Sequence, residues 1–523
     1  MKARDPFSGS ASVTYTGTNS LSITSDTGAV KWCVIEQSTA SSVPTAPLFN
    51  DACFQAPKPT SIALGALGSR IVYVYTLDVA QNLSATYGSA TINYLLNQDP
   101  TANPDAFTLL VNSTASSLNV LKNDTDPEGS PLTINSKTDG AHGTVTIHSS
   151  GKHLIYILTN PSYVGSDSFT YSVQDPYGGT SPPASVSIDV QALSNWLNRK
   201  PITLSGTISP SASQINFPVL VEIASDANIA AKAQNSGADL VFVSTDQITP
   251  LKHEIESYDF TTGKLIAWVL IPSLSANTDF NFYIHYGNAT SGEMESPMDV
   301  WGDNYVGVWH FNEDPSITNS GYCAGENANE CDSSPYHRNG KSNGSMTSTD
   351  LISGKIGGAL DFDGSNDYIN YPCTGCPGYP YSLSLWFSAR NLSGNLLSYD
   401  AGAAKSLAMT GGTYLHAGTG TYNRGIDLSL LSINTWFHIV AVYTNSTDIK
   451  TYLNGVDQTV PTNNWWNSFG NSMGRRETGS ALQYNGQIDE VKIYNGILAP
   501  ETIASRYAAE NNPSSFLTIG PEE

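Results

Sequence analysis

Asn454-Gly455 stands between Thr451-Tyr452-Leu453 and Val456. An Asn-Gly pair so placed is a strong short-range signal for a two-residue hairpin turn, whose central residues both need positive φ. Other parts of the chain alternate as the strands of such hairpins must. Val186, Ile188 and Val190 are separated by Ser187 and Asp189, and Leu383, Leu385 and Phe387 by Ser384 and Trp386. Ile71, Tyr73 and Tyr75 alternate likewise with Val72 and Val74. Period two sends successive side chains to opposite faces of a strand and fits no helix. Only 13% of residues are charged, while Gly (44) and Tyr (27) are abundant, which favours short strands and turns. The expected class is all-β. Two short helices are the exceptions: Ser225–Ala233, and a segment opening at Pro500.

A chain of 523 residues is several times the usual domain size, so roughly three to five domains are expected. Its 46 acidic residues outnumber 24 Lys and Arg, giving a net charge of −22. That charge repels phosphate backbones and anionic lipid, which excludes nucleic acid as the natural partner. The same carboxylates serve solubility, or hold Ca²⁺ where they cluster. Six cysteines fall into sequence-local pairs, Cys33 with Cys53, Cys323 with Cys331, and Cys373 with Cys376, which fits disulfides made in an oxidising compartment. Cys373 and Cys376 have zinc or redox spacing, but without a second close pair a tight surface disulfide is expected. No stretch of about 18 apolar residues is present, so direct membrane insertion is not expected. The opening Met1-Lys-Ala-Arg-Asp-Pro lacks the apolar region of an export signal, and the expectation is a piece of a longer exported precursor.

Four segments carry resemblances. In residues 1–98, Trp32-Cys33, Asp51-Ala-Cys53 and Asp78-Val-Ala-Gln-Asn82 resemble immunoglobulin-like repeats of bacterial envelope proteins, with Gln81 in place of the usual Gly. In residues 99–192, Asn123-Asp-Thr-Asp126-Pro-Glu128-Gly, Gly143-Thr-Val-Thr-Ile147 and Asp167-Ser-Phe-Thr-Tyr resemble a cadherin-like tandem module of adhesins. Residues 193–303, with Asn195-Trp196-Leu-Asn-Arg199-Lys-Pro-Ile202, His253-Glu254-Ile-Glu256 and Tyr286-Gly-Asn288, resemble a domain of unknown function that precedes lectin modules. Residues 304–523 contain Trp309-His310-Phe311, Asp361-Phe362-Asp363-Gly364, Leu385-Trp386-Phe387, Trp436-Phe-His438 and Gln487-Ile-Asp489-Glu490 in order. These blocks resemble the concanavalin A-like, laminin-G-like jelly roll. The resemblance implies a closing helix from Pro500 and a final strand at Phe516-Leu-Thr-Ile519. The predicted architecture is therefore tandem Ig-like and cadherin-like β-sandwiches, a β-rich domain and a C-terminal jelly roll.

Several side chains are candidate ligands. Asp363, Asn366 and Asp367 place three oxygen donors within five residues, suited to Ca²⁺, and the resembled fold could bring Asp489 close. The plainer reading is a turn at Asp363-Gly364 and a strand end at Asp489. A second Ca²⁺ set is Asp124, Asp126 and Glu128 with Asp167 or Asp175. Sugar recognition needs aromatic faces flanked by amides. Trp465, Trp466 and Asn467 offer that, with Tyr414, His416, Tyr422 and Asn423 in neighbouring loops. Against it, one of two adjacent tryptophans in a β protein is commonly core.

Glycoside hydrolysis needs paired carboxylates a few ångströms apart. Glu254 and Glu256, at i and i+2, would share one strand face, which is expected to be solvated. Asp489 and Glu490 are consecutive and would point to opposite faces. No nucleophile triad or phosphate loop appears, so no enzyme is expected. The module order resembles large bacterial surface adhesins and the accessory protein of mannose-sensitive haemagglutinin pili. That implies an extracellular adhesion protein whose partner is a glycan or cell-surface ligand. The rival is a structural subunit of a surface filament, surface layer or phage fibre, contacting other protein chains.

Overall fold

The computed structural model describes residues 12–15, 21–24, 29–38, 47, 52–57, 68–78, 88–94, 97–209, 211–318, 328–373, 376–400, 404–410, 413–418, 423–461, 471–475 and 483–523. It is almost entirely β and divides into two compact units, Met1–Gln98 and Asp99–Glu523. In the first unit the strands Ala29–Ser38, Gly68–Asp78 and Gly88–Tyr94 form one antiparallel sheet. The Cys33–Cys53 disulfide (Cα–Cα 4.9 Å) packs beside Phe54, Tyr73, Tyr75 and Leu77.

The second unit opens with a sandwich. One sheet joins Ser116–Leu118, Leu154–Leu158 and Gly143–Ile147; the other joins Asp105–Leu110, Ala184–Gln191, Gly165–Gln174 and Thr133–Lys137. Val186, Ile188 and Val190 are buried while Ser187 and Asp189 are exposed, as their alternation requires. Ile147 departs from that logic, being exposed at the end of its strand while Val145 is buried.

Two more sheets follow. Gln214–Ile223, Lys264–Leu274 and His253–Asp259 pack over a second sheet around Phe217, Val219, Val269, Phe242 and Phe282. The predicted helix is Ala227–Lys232, with Asp226 accepting from the N–H groups of Asn228 and Ile229. The second sheet contains a strand from far along the chain. Leu517–Ile519, expected to close the jelly roll, instead pairs antiparallel with Asn198–Leu204, Ile519 opposite Ile202. Helix Pro500–Asn511 carries the chain back over the junction.

The jelly roll has two sheets, each of eight strands among the described residues. Trp309, Phe362, Tyr381, Leu383, Leu385, Phe387, Ile488 and Val491 fill the space between them. The hairpin turn at Asn454-Gly455 has φ values of 49° and 80°, with Leu453 opposite Val456. Tyr381–Ala389 is buried along its whole length, although its sequence alternates. The outer residues Ser384 and Trp386 are covered by His438, Tyr507 and Glu510 rather than by water. That outer face is where the jelly roll meets the preceding domain.

Candidate functional site

The junction is held first by apolar surface. Trp268, Trp301, Tyr305, Val308, Leu220, Ile266 and Ile356 form one buried cluster drawn from both domains. A tryptophan burying 150–250 Å² at about 25 cal/mol/Å² contributes roughly 4–6 kcal/mol as an upper value. Such surface supplies what the charges beside it do not, since desolvating ions roughly cancels their mutual attraction.

Inside this cluster lies a network of ionisable groups. His310 follows directly on the strand Tyr305–Trp309, with its ring 5.8 Å from that of Trp268 and 5.5 Å from that of Trp301. Its Nδ1 is 2.6 Å from Glu490 Oε1 and its Nε2 is 3.3 Å from Glu254 Oε2. Glu254 accepts from Trp301 Nε1 (2.6 Å) and Ser333 Oγ (2.5 Å), and Glu256 accepts from Trp268 Nε1 (2.8 Å). Lys492 Nζ lies 2.8 Å from both Glu490 and Glu510, and 4.1 Å from the Trp268 ring centre. The jelly-roll backbone closes tightly over Glu256: a Cβ on Gly357 (φ 49°) would meet its Oε1 at 2.0 Å.

Two irregularities in the strands build this arrangement, and they correct the sequence reading. Glu254 and Glu256 do reach one region, but it is the domain junction rather than solvent; their side chains are 5% and 0% exposed. A register shift between Ile255 and Ser257 marks a bulge there. Asp489 and Glu490 do not take opposite faces. The register slips between Ser384 and Trp386, and Glu490 adopts φ 51°, so Glu490 turns to His310 while Asp489 Oδ2 accepts from Ile356 N at 2.9 Å.

Burial works against the charge on His310, yet the carboxylates of Glu490 and Glu254 hold its pKa well above the ordinary range. Burial also works against Glu490, but His310 and Lys492 bring it below the usual carboxylate value. Glu256 is pushed up to about 7 by burial, then by Glu490. Asp489 is raised well above its ordinary value by burial, then by Glu490. The network therefore sets the Lys492 ammonium and a His310 ring that favours its protonated form against Glu490, while burial and Glu490 favour the neutral form of Asp489.

Glu256, His310 and Glu490 place one donor atom each within 4.8 Å of one another, so this group could hold a metal ion. A metal on Nδ1 would leave Nε2–H directed at Glu254, the carboxylate support that metal-bound imidazoles usually have. An imidazole among carboxylates suits zinc or manganese better than Ca²⁺, which takes oxygen donors.

The residues singled out in the sequence lie elsewhere. Asp363 accepts from the backbone of Ser365 and Asn366, Asp367 from Asp363 and Ser345, and Asn366 from Ser345 Oγ. Asp489 does not join them. Asp363 pairs with Asn485, four positions before Asp489, so about 13 Å of strand intervenes. Asp124 accepts from Asn103 N (2.7 Å) and Tyr171 Oη (3.0 Å), and Asp126 from the backbone of Glu128 and Ser130. Asp167 occupies a different corner, with Ala141, His142 and Tyr156. Sequence reading missed Asp105. Burial, and then the charge of Asp124, raise its pKa to about 7 although Tyr171 pulls it down, and its Oδ2 is buried with no partner.

Tyr414 is half-buried and His416 buried on one strand, their rings 6.0 Å apart. Asn423 pairs through its backbone with Gly418. Trp465, Trp466, Asn467 and Tyr422 lie outside the described residues, as does Cys323. Cys373 and Cys376 are bridged, with Cα–Cα 5.1 Å. Among the described residues no helix is long and apolar enough to cross a membrane.

Three family models match. Residues 97–189 match the bacterial Ig domain, 236–318 a domain of unknown function (DUF2341), and 363–504 the concanavalin A-like lectin/glucanases superfamily. No curated protein matches the chain. Among solved structures, domain 4 of AbnA, an extracellular arabinanase of Geobacillus stearothermophilus solved with arabinotriose, is similar at 22% identity and TM-score 0.29, over 38% of this chain and 97% of that one. The botulinum neurotoxin serotype D binding domain is similar at 16% identity and TM-score 0.28, over 39% of this chain and 52% of that one. The binding domain of Paraclostridial Mosquitocidal Protein 1 is similar at 14% identity and TM-score 0.29, over 39% and 52%. The chain thus spans about half the length of those two binding domains. The matched Ig-like and lectin-like domain types are typical of secreted or surface bacterial proteins. This domain content, an Ig-like module, DUF2341 and a lectin-like jelly roll, matches the architecture of a modular bacterial surface adhesin.

Proposed function

We propose that the chain is an extracellular adhesion protein in which the lectin-like jelly roll binds a glycan or another surface ligand and the Ig-like modules set its distance from the surface that carries it. The observation that carries this reading is the presence of an Ig-like and a lectin-like module in one chain. The buried junction supports it mechanically, because a head packed against its neighbour through several aromatics can transmit load without hinging. The test is glycan-array binding of the chain and of a Trp465→Ala/Trp466→Ala variant, with Ca²⁺ present. Capture of defined glycans that the variant loses supports the reading. Equal absence of binding in both removes the glycan, and polymers of the purified chain in electron micrographs would favour a filament or surface-layer subunit.

Ca²⁺ has a role in this proposal through the cadherin-like sandwich. Asp105 is raised to about 7 and Asp124 to about 6, in each case chiefly by burial. The unpartnered oxygens of Asp105 and Asp126 support an oxygen-donor cation there. A melting midpoint unchanged between Ca²⁺ and chelator would remove that role, since a ligand of the folded state must raise the midpoint.

A further inference from the structure

The packing of the two domains leaves a crevice between strand Gln214–Ile223 and helix Pro500–Asn511, lined also by Trp301, Tyr305 and Tyr494. Its volume is about 560 Å³, within the usual range of small-ligand sites. We propose that this crevice binds an acidic sugar, with Arg506 reading the sugar's carboxylate. The proposal rests on the glycan-binding reading above and gives it a location away from the jelly-roll loops.

Arg506 is the first reason. Its guanidinium carbon lies 5.4 Å from the Tyr305 ring centre and 5.7 Å from that of Tyr494, so two aromatic walls hold the fork. Its Nε is buried without a hydrogen-bond partner, and among the described residues no carboxylate pairs with it. Acidic residues outnumber basic ones 46 to 24 in this chain. Arg199 has Glu523 and Arg390 has Asp361, whereas Arg506 faces a cavity. A ligand carboxylate would satisfy the fork with two parallel hydrogen bonds, the geometry guanidinium favours.

The carboxylates sharing the lining are already engaged. Asp299 is 3.0 Å from Lys252 Nζ and accepts from Ser117 Oγ at 2.7 Å, and Asp303 is 2.8 Å from His148 Nε2. They leave Arg506 to the ligand. The other polar lining consists of amides and hydroxyls, among them Asn216, Asn304 and Ser213, which can both donate to and accept from ring hydroxyls. Ile215 and Ile497, 68% and 53% exposed, add apolar surface for the carbon face of a pyranose. The net charge of −22 opposes long polyanions, but at physiological salt it is screened beyond about 8 Å, so a short acidic saccharide is the fitting occupant.

Calorimetric titration of the full chain with two matched pairs tests this: digalacturonate against its dimethyl ester, and sialyllactose against lactose. The acidic member of at least one pair is expected to bind about tenfold tighter or better, the usual scale of one charge-assisted contact. Arg506→Gln should abolish that preference, and Arg506→Lys should restore part of it. Should Arg506→Gln fail to fold, Ile215→Trp narrows the cavity from an exposed position and should weaken the acidic probe about tenfold or more. Equal affinity within both pairs, no binding of either acid, or an acid preference untouched by the folded variants overturns the site. Neutral-glycan capture on the array that survives Arg506→Gln would then leave the adhesion reading standing, whereas an array empty of all glycans removes both.

Discussion

Glu490 meets His310 end to end, Oε1 to Nδ1 at 2.6 Å, across 180 residues of chain. The pair forms because Glu490 adopts a left-handed backbone conformation in a bulge, which turns its side chain toward the neighbouring domain. Glu254 approaches the other nitrogen of the same ring, so one imidazole bridges carboxylates from both domains.

Glu490→Gln is expected to destabilise the unit Asp99–Glu523 by about 3–5 kcal/mol, because it leaves His310 and Lys492 buried beside a neutral amide. Lys232→Ala, which breaks the partly exposed pair with Glu522, should cost at most about 1 kcal/mol. Urea denaturation followed by tryptophan fluorescence compares the two.

Acid should act through His438, whose pKa burial lowers to about 4. A folded value below the unfolded one means its contribution is present above pH 6.5 and is lost as pH falls toward 4. That contribution is about 3 kcal/mol. Burial raises Glu256 to about 7, so its contribution runs the other way, present below about 4.5 and lost as pH rises through 7. Subtracting the stability profile of His438→Gln from that of the wild type isolates the histidine, and a flat difference between pH 6.5 and 4 would show that it is not buried neutral.

Asp105→Asn should raise the melting midpoint at pH 8 in chelator. The folded pKa of Asp105 is raised to about 7, so its contribution to stability is lost as pH rises through that value, and an uncharged amide avoids the loss. The same substitution should remove the midpoint shift produced by Ca²⁺. Scanning calorimetry with and without Ca²⁺ reads both effects.

Removing residues 517–523 should expose the edge of Asn198–Leu204, which Leu517–Ile519 covers, and release the contacts of Glu522 and Glu523 with Tyr286 and Arg199. Amide exchange should quicken in Asn198–Leu204 while Tyr381–Ala389 stays protected.

Much of the fold was legible where local pattern and tertiary context agree. Ala184–Gln191 alternates and is half-buried as written, Asn454-Gly455 turns as its residues demand, and Asp226 caps the helix that follows it. The candidate site was not legible, because it depends on single-residue slips. Nothing in His253–Asp259 or Asn485–Tyr494 marks where a bulge falls, and without the bulges Glu256, Asp489 and Glu490 are assigned to the wrong surroundings. The sheet joined by Leu517–Ile519 was equally hidden, since a three-residue apolar strand fits any open edge of matching register.

The pairing of Leu517–Ile519 with Asn198–Leu204 also orders the events of synthesis. During translation the sheet begun near Asn198 stays one strand short while the jelly roll is being made, and it presents an open edge throughout. It can be completed only after the jelly roll has been threaded out and helix Pro500–Asn511 has carried the chain back. Maturation of the middle domain thereby waits on a strand that follows the whole jelly roll.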